Sequence, residues 1–175
     1  IVKYFRYIHF CGQVSDPIFN PNFITFLKMC KDAQKSSTVH TAASQRPISW
    51  YEKAFDTNPK TRWVFGLDGL PEESCMYRIN QDGEKLFEVM KMATGYVLPC
   101  CWLDRASSPK DKKVKTLFDD KLHIDNNDTI EDIISAEPWQ KFMRDLVEKP
   151  EESSPICFEM CTSKGNRYVK KVKIL

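Results

Sequence analysis

The chain is 175 residues long, 42% hydrophobic and 12% aromatic, enough apolar material to bury the core of one domain, or of one domain and part of another. Its 26 Lys and Arg nearly cancel its 24 Asp and Glu, so no whole-chain field draws it to nucleic acid or an anionic membrane, and any basic patch has to be local. The longest apolar runs, such as residues 96–103, are far too short to cross a bilayer, and no charged-then-apolar leader opens the sequence; the expectation is a soluble protein that is not secreted.

Residues 4–10, Tyr-Phe-Arg-Tyr-Ile-His-Phe, are aromatic and β-branched and are closed by Cys11-Gly12, which predicts a buried strand and turn. After Pro17 and Pro21, Asn22 is placed to cap a helix whose apolar residues Phe23, Phe26, Leu27 and Cys30 recur at three- and four-residue spacing. Residues 37–43 predict a second strand and residues 62–67 a third. The polar stretch between them, which carries Trp50, Tyr51 and Phe55, reads as a long loop or a short helix. Asp82-Gly83-Glu84 opens a further helix with Leu86, Val89, Met90 and Ala93 on one face and Gly95 as its stop. Residues 96–100 then predict another strand, and Trp102-Leu103 opens a segment ending at Ser107-Ser108-Pro109.

The charged run Lys110 to Lys115 reads as a solvated connection and marks a boundary, giving a domain over 1–108 and an extension or linker over 109–175. In the extension, Thr129 followed by Asp132 resembles a capping box before Ile130, Ile133 and Ile134. Pro138 suits the first turn of a helix with Trp139, Phe142, Met143 and Leu146 on one side. Residues 156–161 and 167–175 predict two strands paired across the turn Ser163-Lys164-Gly165-Asn166. The sequence opens on Ile and closes in a strand-like segment, so both ends read as cuts in a longer protein.

Seven cysteines, at 11, 30, 75, 100, 101, 157 and 161, raise the question of metal or thiol chemistry. Cys11, Cys30 and Cys100 fall where the pattern predicts buried side chains, and a buried free thiol behaves as a small hydrophobe. With an odd total, this favours free thiols in a reducing compartment. Structural zinc sites present two closely spaced ligand pairs, whereas the short pairs here are the adjacent Cys100-Cys101 and Cys157-x3-Cys161, so core cysteine is favoured over zinc. His9, His40 and His123 lie in an apolar strand, a short strand and a charged connection, with no cysteine-protease signature around them. There is no phosphate-binding Gly-x-x-x-x-Gly-Lys loop, no Gly-x-Ser-x-Gly elbow and no His-Glu-x-x-His helix, and no paired carboxylates can be picked out. The expectation is no catalytic constellation, no metal and no cofactor. The basic end, with Lys164, Arg167, Lys170, Lys171 and Lys173, offers a local face for phosphate, although an ordinary solvated strand face is the favoured reading.

The stretch Ala93-Thr94-Gly95-Tyr96-Val97-Leu98-Pro99-Cys100-Cys101-Trp102-Leu103-Asp104, taken with the order strand, helix, strand, strand, helix, strand, resembles the BRCT family over about residues 3–108. That family ends a helix at a small residue and Gly, follows with a buried strand, and opens its last helix with a core Trp. The resemblance implies an α/β fold with a small parallel sheet flanked by helices, and gives Gly95 and Trp102 structural roles. It also implies a non-enzymatic nuclear scaffold or adaptor for partner proteins in the DNA damage response or chromosome maintenance. In members that bind phosphopeptides, a small hydroxyl residue, the following N–H and a Lys hold the phosphate; the positions here are Cys11, Gly12 and Lys85. A fixed amide and a cation at a helix start suit a dianion, but Cys11 donates a weaker hydrogen bond than Ser or Thr, and no Thr stands two residues before Lys85. Residues 109–175 then read either as a linker into a second repeat or as an extension covering the first. Two rivals remain: a nucleic-acid-binding module using the basic end, and an enzyme whose residues converge only in three dimensions.

Overall fold

Short β-branched and aromatic stretches separated by amphipathic helices call for a parallel sheet, because parallel neighbours need a crossover between them. The computed structural model has this arrangement. It describes residues 2–12, 15–43, 45–67, 70–100, 103–104 and 108–161, and its contacts divide the chain into two units, Ile1–Thr94 and Gly95–Leu175.

In the first unit, β1 (Tyr7–Phe10) leads through α1 (Phe23–Asp32) to β2 (Ser36–Thr41), and α2 (Ile48–Thr57) leads to β3 (Arg62–Phe65). A short helix, α3 (Ser74–Tyr77), and α4 (Gly83–Ala93) complete it. The strands lie in the order β1-β2-β3, all parallel, with Tyr7 opposite Ser36 and Thr38 opposite Arg62. The protein is therefore α/β with a small parallel sheet.

Strand alternation sorts this sheet into two faces. Phe10, Val39, Trp63 and Phe65 point into a core with Phe23 and Leu27 of α1, Tyr51 and Ala54 of α2, and Leu86 and Val89 of α4. Rings knit it together: Phe23 meets Phe10 at 5.1 Å and Trp63 at 6.3 Å, and Phe55 meets Trp63 at 5.1 Å. Burying each large side chain contributes roughly 1.5–3 kcal/mol. The opposite face carries Tyr7, His9, Ser36, Thr38, His40, Arg62 and Val64, none of which joins that core.

Several local expectations hold. The stretch left between loop and helix is α2, which buries Tyr51 and Ala54. Asp82 caps α4 through a bond from the Lys85 amide, and α4 stops at Ala93 as expected, with Thr94 at φ 55° and Gly95 at φ 136°. Asn22 does precede α1 but makes no side-chain cap. The Phe23 amide instead donates to Asn20 O, so the preceding turn delivers the chain into the helix. Cys11 was expected to be buried and is exposed, because it follows β1 beyond the end of the core; Cys30 is buried as expected.

Among the described residues the second unit is built mainly from short 3-10 turns and the helices α5 (Ile130–Ser135), α6 (Glu137–Glu148) and α7 (Pro155–Cys161). Buried Leu117, Leu122, Ile124, Ile133, Trp139 and Phe142 supply apolar surface. The Thr129–Asp132 capping box is complete in both directions, and Pro138 opens the first turn of α6. Within the charged run Lys110 to Lys115, Val114 is buried, so that stretch is partly anchored.

Two expected strands are corrected. Residues 96–100 form no strand: Tyr96 makes a single antiparallel bridge to His123, and Pro99 lacks the N–H that a ladder needs. Residues 156–161 are helical, because Pro155 suits a first helical turn and the helix buries Cys157; a short apolar run carries too little periodicity to separate strand from helix. Trp102, Cys101, the turn at 163–166, the strand expected at 167–175, and with them Lys164, Arg167, Lys170, Lys171 and Lys173, lie outside the described residues.

Candidate functional site

The carboxyl ends of parallel strands are where open α/β sheets usually place ligands. Here that end is a polar knot. Asp16, in the loop after β1, accepts hydrogen bonds at Oδ1 from the Ile18 amide (3.1 Å) and at Oδ2 from Thr41 Oγ1 (2.8 Å) and the Ala42 amide (2.7 Å). Gln81 Nε2 donates to Ala42 O (3.1 Å) and Gly66 O (2.9 Å), tying the exits of β2 and β3 together. Arg46 donates to the carbonyls of Ile18 and Phe19 and lies 5.6 Å from the Trp50 ring centroid. These groups hold the protein's own loops.

Two buried polar atoms in this unit find no partner among the described residues, Tyr51 Oη and Gln81 Oε1. Burial pushes the Tyr51 hydroxyl strongly up, and the Asp16 carboxylate adds to this, while the Arg46 backbone and guanidinium oppose it. Arg46 and Asp16 are thus its polar neighbours, although neither makes a hydrogen bond of good geometry with it.

The positions implied for phosphate fall at different places. Cys11 and Gly12 follow β1 at one edge of the sheet, whereas Lys85 stands in the first turn of α4, which packs against α2 and against β3 at the other edge. Gly12 leaves no room for a side chain, since a Cβ there would lie 1.6 Å from Ser15 O. The Lys85 amide is already occupied by Asp82 Oδ1 at 3.1 Å, so a carboxylate sits at this helix start. Gly95 has open space where a Cβ would project, so its part in the structure is its positive φ.

The face of the sheet opposite the core gathers a different set. Tyr7 and His9 stand on one side of β1, their rings 4.4 Å apart and edge-on, and His9 stacks with His40 of β2 at 5.8 Å and 23°. Tyr7 Oη is hydrogen-bonded to Thr38 Oγ1 at 2.5 Å. Burial, then the facing His9 and Arg62, push the His40 imidazole below its ordinary value. Tyr7, His9 and Arg62 are exposed, and no carboxylate stands among the strand residues of this face. His9 and His40 lie on different strands, and in the sequence the two-residue spacing of Tyr7 and His9 is the signal that one strand aims both rings the same way.

The second unit holds a cleft of about 350 Å³ lined in part by Lys112, Lys113, Lys141, Asp145, Phe142 and Ser154, within which Lys141 pairs with Asp145. Burial raises the Cys157 thiol to about 11, with smaller contributions from Cys161 and Cys100, and burial also raises Cys161. Such thiols stay protonated at neutral pH and are poor nucleophiles. No group of three or more His, Cys, Asp or Glu among the described residues could hold a metal ion. None of the described helices is long and apolar enough to cross a membrane. No family model, curated protein or solved structure matches this chain.

Proposed function

We propose that the chain is a non-catalytic interaction module, a scaffold or adaptor that grips a partner protein by adding an extended segment of that partner to the free edge of β1. The observation that carries this reading is the edge itself. Among the described residues β1 ends the sheet on one side, and it is led by exposed apolar rings, Tyr4 at 76% and Phe5 at 54% of their full accessibility, with Tyr7 at 44%. An edge strand offers unpaired N–H and C=O groups, and proteins ordinarily blunt such edges with charge, Pro or a covering element. Aromatic side chains beside an open edge suit strand addition, in which backbone pairing supplies affinity and side-chain pockets supply specificity.

The resemblance to BRCT repeats adds the expectation of a nuclear setting and of phosphorylated partners, although Cys11 and Gly12 follow the strand at one edge of the sheet and Lys85 lies on the helix packed at the other, so the three do not form one phosphate site. A displayed peptide library carrying phosphoserine, phosphothreonine and unphosphorylated versions of each segment tests both layers. Strand addition is expected to select extended apolar segments, to slow amide exchange across residues 7–10 and to weaken in Tyr4→Ser/Phe5→Ser. Phosphate dependence lost in Lys85→Ala would establish a phosphate site at that helix start. A library that returns no binder protecting residues 7–10 would overturn the reading.

A further inference from the structure

We propose that the segment received by the free edge of β1 is acidic: an antiparallel strand with aliphatic residues at alternate positions, followed by Asp or Glu residues that meet Arg6 and Lys35. This rests on the strand-addition reading above and names the partner chemistry which that reading leaves open.

The edge strand is unfinished on its core side. Ile8 and Phe10 share that side of β1 by alternation and are each only half-buried, whereas Val39 on the neighbouring strand is fully buried. The apolar surface of the sheet therefore runs out to its margin. A further strand with aliphatic side chains beside Ile8 and Phe10 would cover it, and aromatic rings pair well with β-branched neighbours across strands. On the other side of β1, Tyr7 and His9 are exposed and the Tyr7 hydroxyl is bonded to Thr38, so small polar residues suit the partner's alternate positions there. At the opposite margin of the sheet, α4 packs against β3.

Charge picks the partner. Arg6 stands directly before β1 and is exposed; Lys35 stands directly before β2, whose Ser36 is registered with Tyr7, so the two cations head neighbouring strands at one end of the sheet. Neither has an ion-pair partner among the described residues. Residues 2–12 and 33–43 contain no Asp or Glu, and the acid nearest to Lys35 in sequence, Asp32, is held by Lys28 at 2.6 Å. A second copy of β1 would bring Arg6 again and no carboxylate, leaving these cations unmatched. Charge at an edge ordinarily guards against stray pairing; an acidic partner turns the same charge into a selector.

Orientation follows from the same placement. Antiparallel pairing is the more stable kind, and an antiparallel edge strand on an otherwise parallel sheet is common. In that direction the partner runs from the Phe10 end of β1 toward the Arg6 end, so its acids come after its aliphatic stretch.

The test uses the whole chain and fluorescein-labelled peptides that share a Val-Thr-Val-Thr-Val core followed by Asp-Glu-Asp, Asn-Gln-Asn or Lys-Lys-Lys, with a fourth carrying Asp-Glu-Asp before the core. Anisotropy at low salt gives affinity, and amide exchange reports protection of residues 7–10. The acidic peptide is expected to bind about three- to tenfold tighter than the neutral one, as two exposed ion pairs allow, with the basic peptide weakest and the gaps closing as salt rises. Acids placed before the core should lose the advantage. Arg6→Gln/Lys35→Gln should abolish the acidic preference while keeping the neutral peptide bound, Arg6→Glu/Lys35→Glu should invert the order, and Tyr4→Ser/Phe5→Ser should weaken every peptide alike. Thermal melts check that each variant is folded, and the four peptides on the parent chain decide the matter without them. Equal affinity for the acidic and neutral peptides, with residues 7–10 protected by both, would overturn this proposal and leave strand addition standing; no peptide protecting residues 7–10 would overturn both. A concentration-dependent dimer in sedimentation that protects residues 7–10 without peptide would make a second copy the occupant and overturn the acidic partner.

Discussion

Tyr51 is fully buried between Trp50, at 5.2 Å and edge-on, and Phe55, at 6.3 Å, yet its hydroxyl has no hydrogen-bond partner among the described residues. The ring contributes to the core while the oxygen has given up water and gained only a polar contact with Arg46 that falls short of a good hydrogen bond. Leaving a buried hydroxyl unsatisfied costs about 1–3 kcal/mol, so Tyr51→Phe, which keeps the ring and deletes the oxygen, is expected to stabilise the first unit by about 1 kcal/mol or more. For a unit of this size that corresponds to a rise in Tm of about 4–8 °C per kcal/mol. A pH series adds an independent arm. Burial raises the native ionisation of Tyr51 above its ordinary 10.0, so the unfolded chain releases this proton first and native stability falls as pH rises above about 10. That component should be missing from the variant, whose melting temperature should fall less steeply there. Thermal unfolding of both proteins from pH 7 to 11 measures both effects. A Tyr51→Phe protein about 1 kcal/mol less stable than the parent would refute the reasoning, since it would mean that the hydroxyl is partnered and contributes.

Two further changes probe the joints of the fold. Asp16→Ala removes one carboxylate from three donors at 2.7–3.1 Å and should cost about 2–4 kcal/mol, with equilibrium denaturation as the measurement; a loss under about 0.5 kcal/mol would mean the knot is not holding the strand ends. Thr129→Ala breaks the capping box of α5 and should cost about 0.5–2 kcal/mol in the second unit. Exchange protection of the first amides of α5 is the readout, and unchanged protection there would count against the cap.

What was legible in the sequence followed from periodicity. Phe23, Leu27 and Cys30 recur at helical spacing and are all buried on one side of α1; Leu86 and Val89 do the same in α4, and Thr129 with Asp132 announces α5. Reading failed where a run was too short for its period to speak. Tyr96 to Cys100 looked β-like by composition but found only the one bridge, to His123, and the segment after Pro155 coiled into a helix. The polar knot was not legible at all. Asp16, Thr41 and Gln81 are far apart in the chain, and nothing in their neighbours announces that they meet. The sheet's second face was hidden for a related reason: His9, His40 and Arg62 become a set only once the strand register is known.

The strand order has a consequence for how the chain acquires its structure. Because β1, β2 and β3 neighbour one another in the sheet as they do in the sequence, each pairing joins consecutive strands across a loop that its own helix shortens, so the sheet can be built one crossover at a time. A ribosome delivering the chain from its N-terminus releases β1, α1 and β2 before β3 exists, so this first crossover has the opportunity to assemble alone. Until β3 arrives, the far side of β2 is a bare edge and Val39 lacks Trp63 as a neighbour. The Asp16 bonds to Thr41 and Ala42 lie wholly within that early unit, so the carboxylate can latch it during synthesis and shorten the interval in which an unfinished sheet meets other nascent chains.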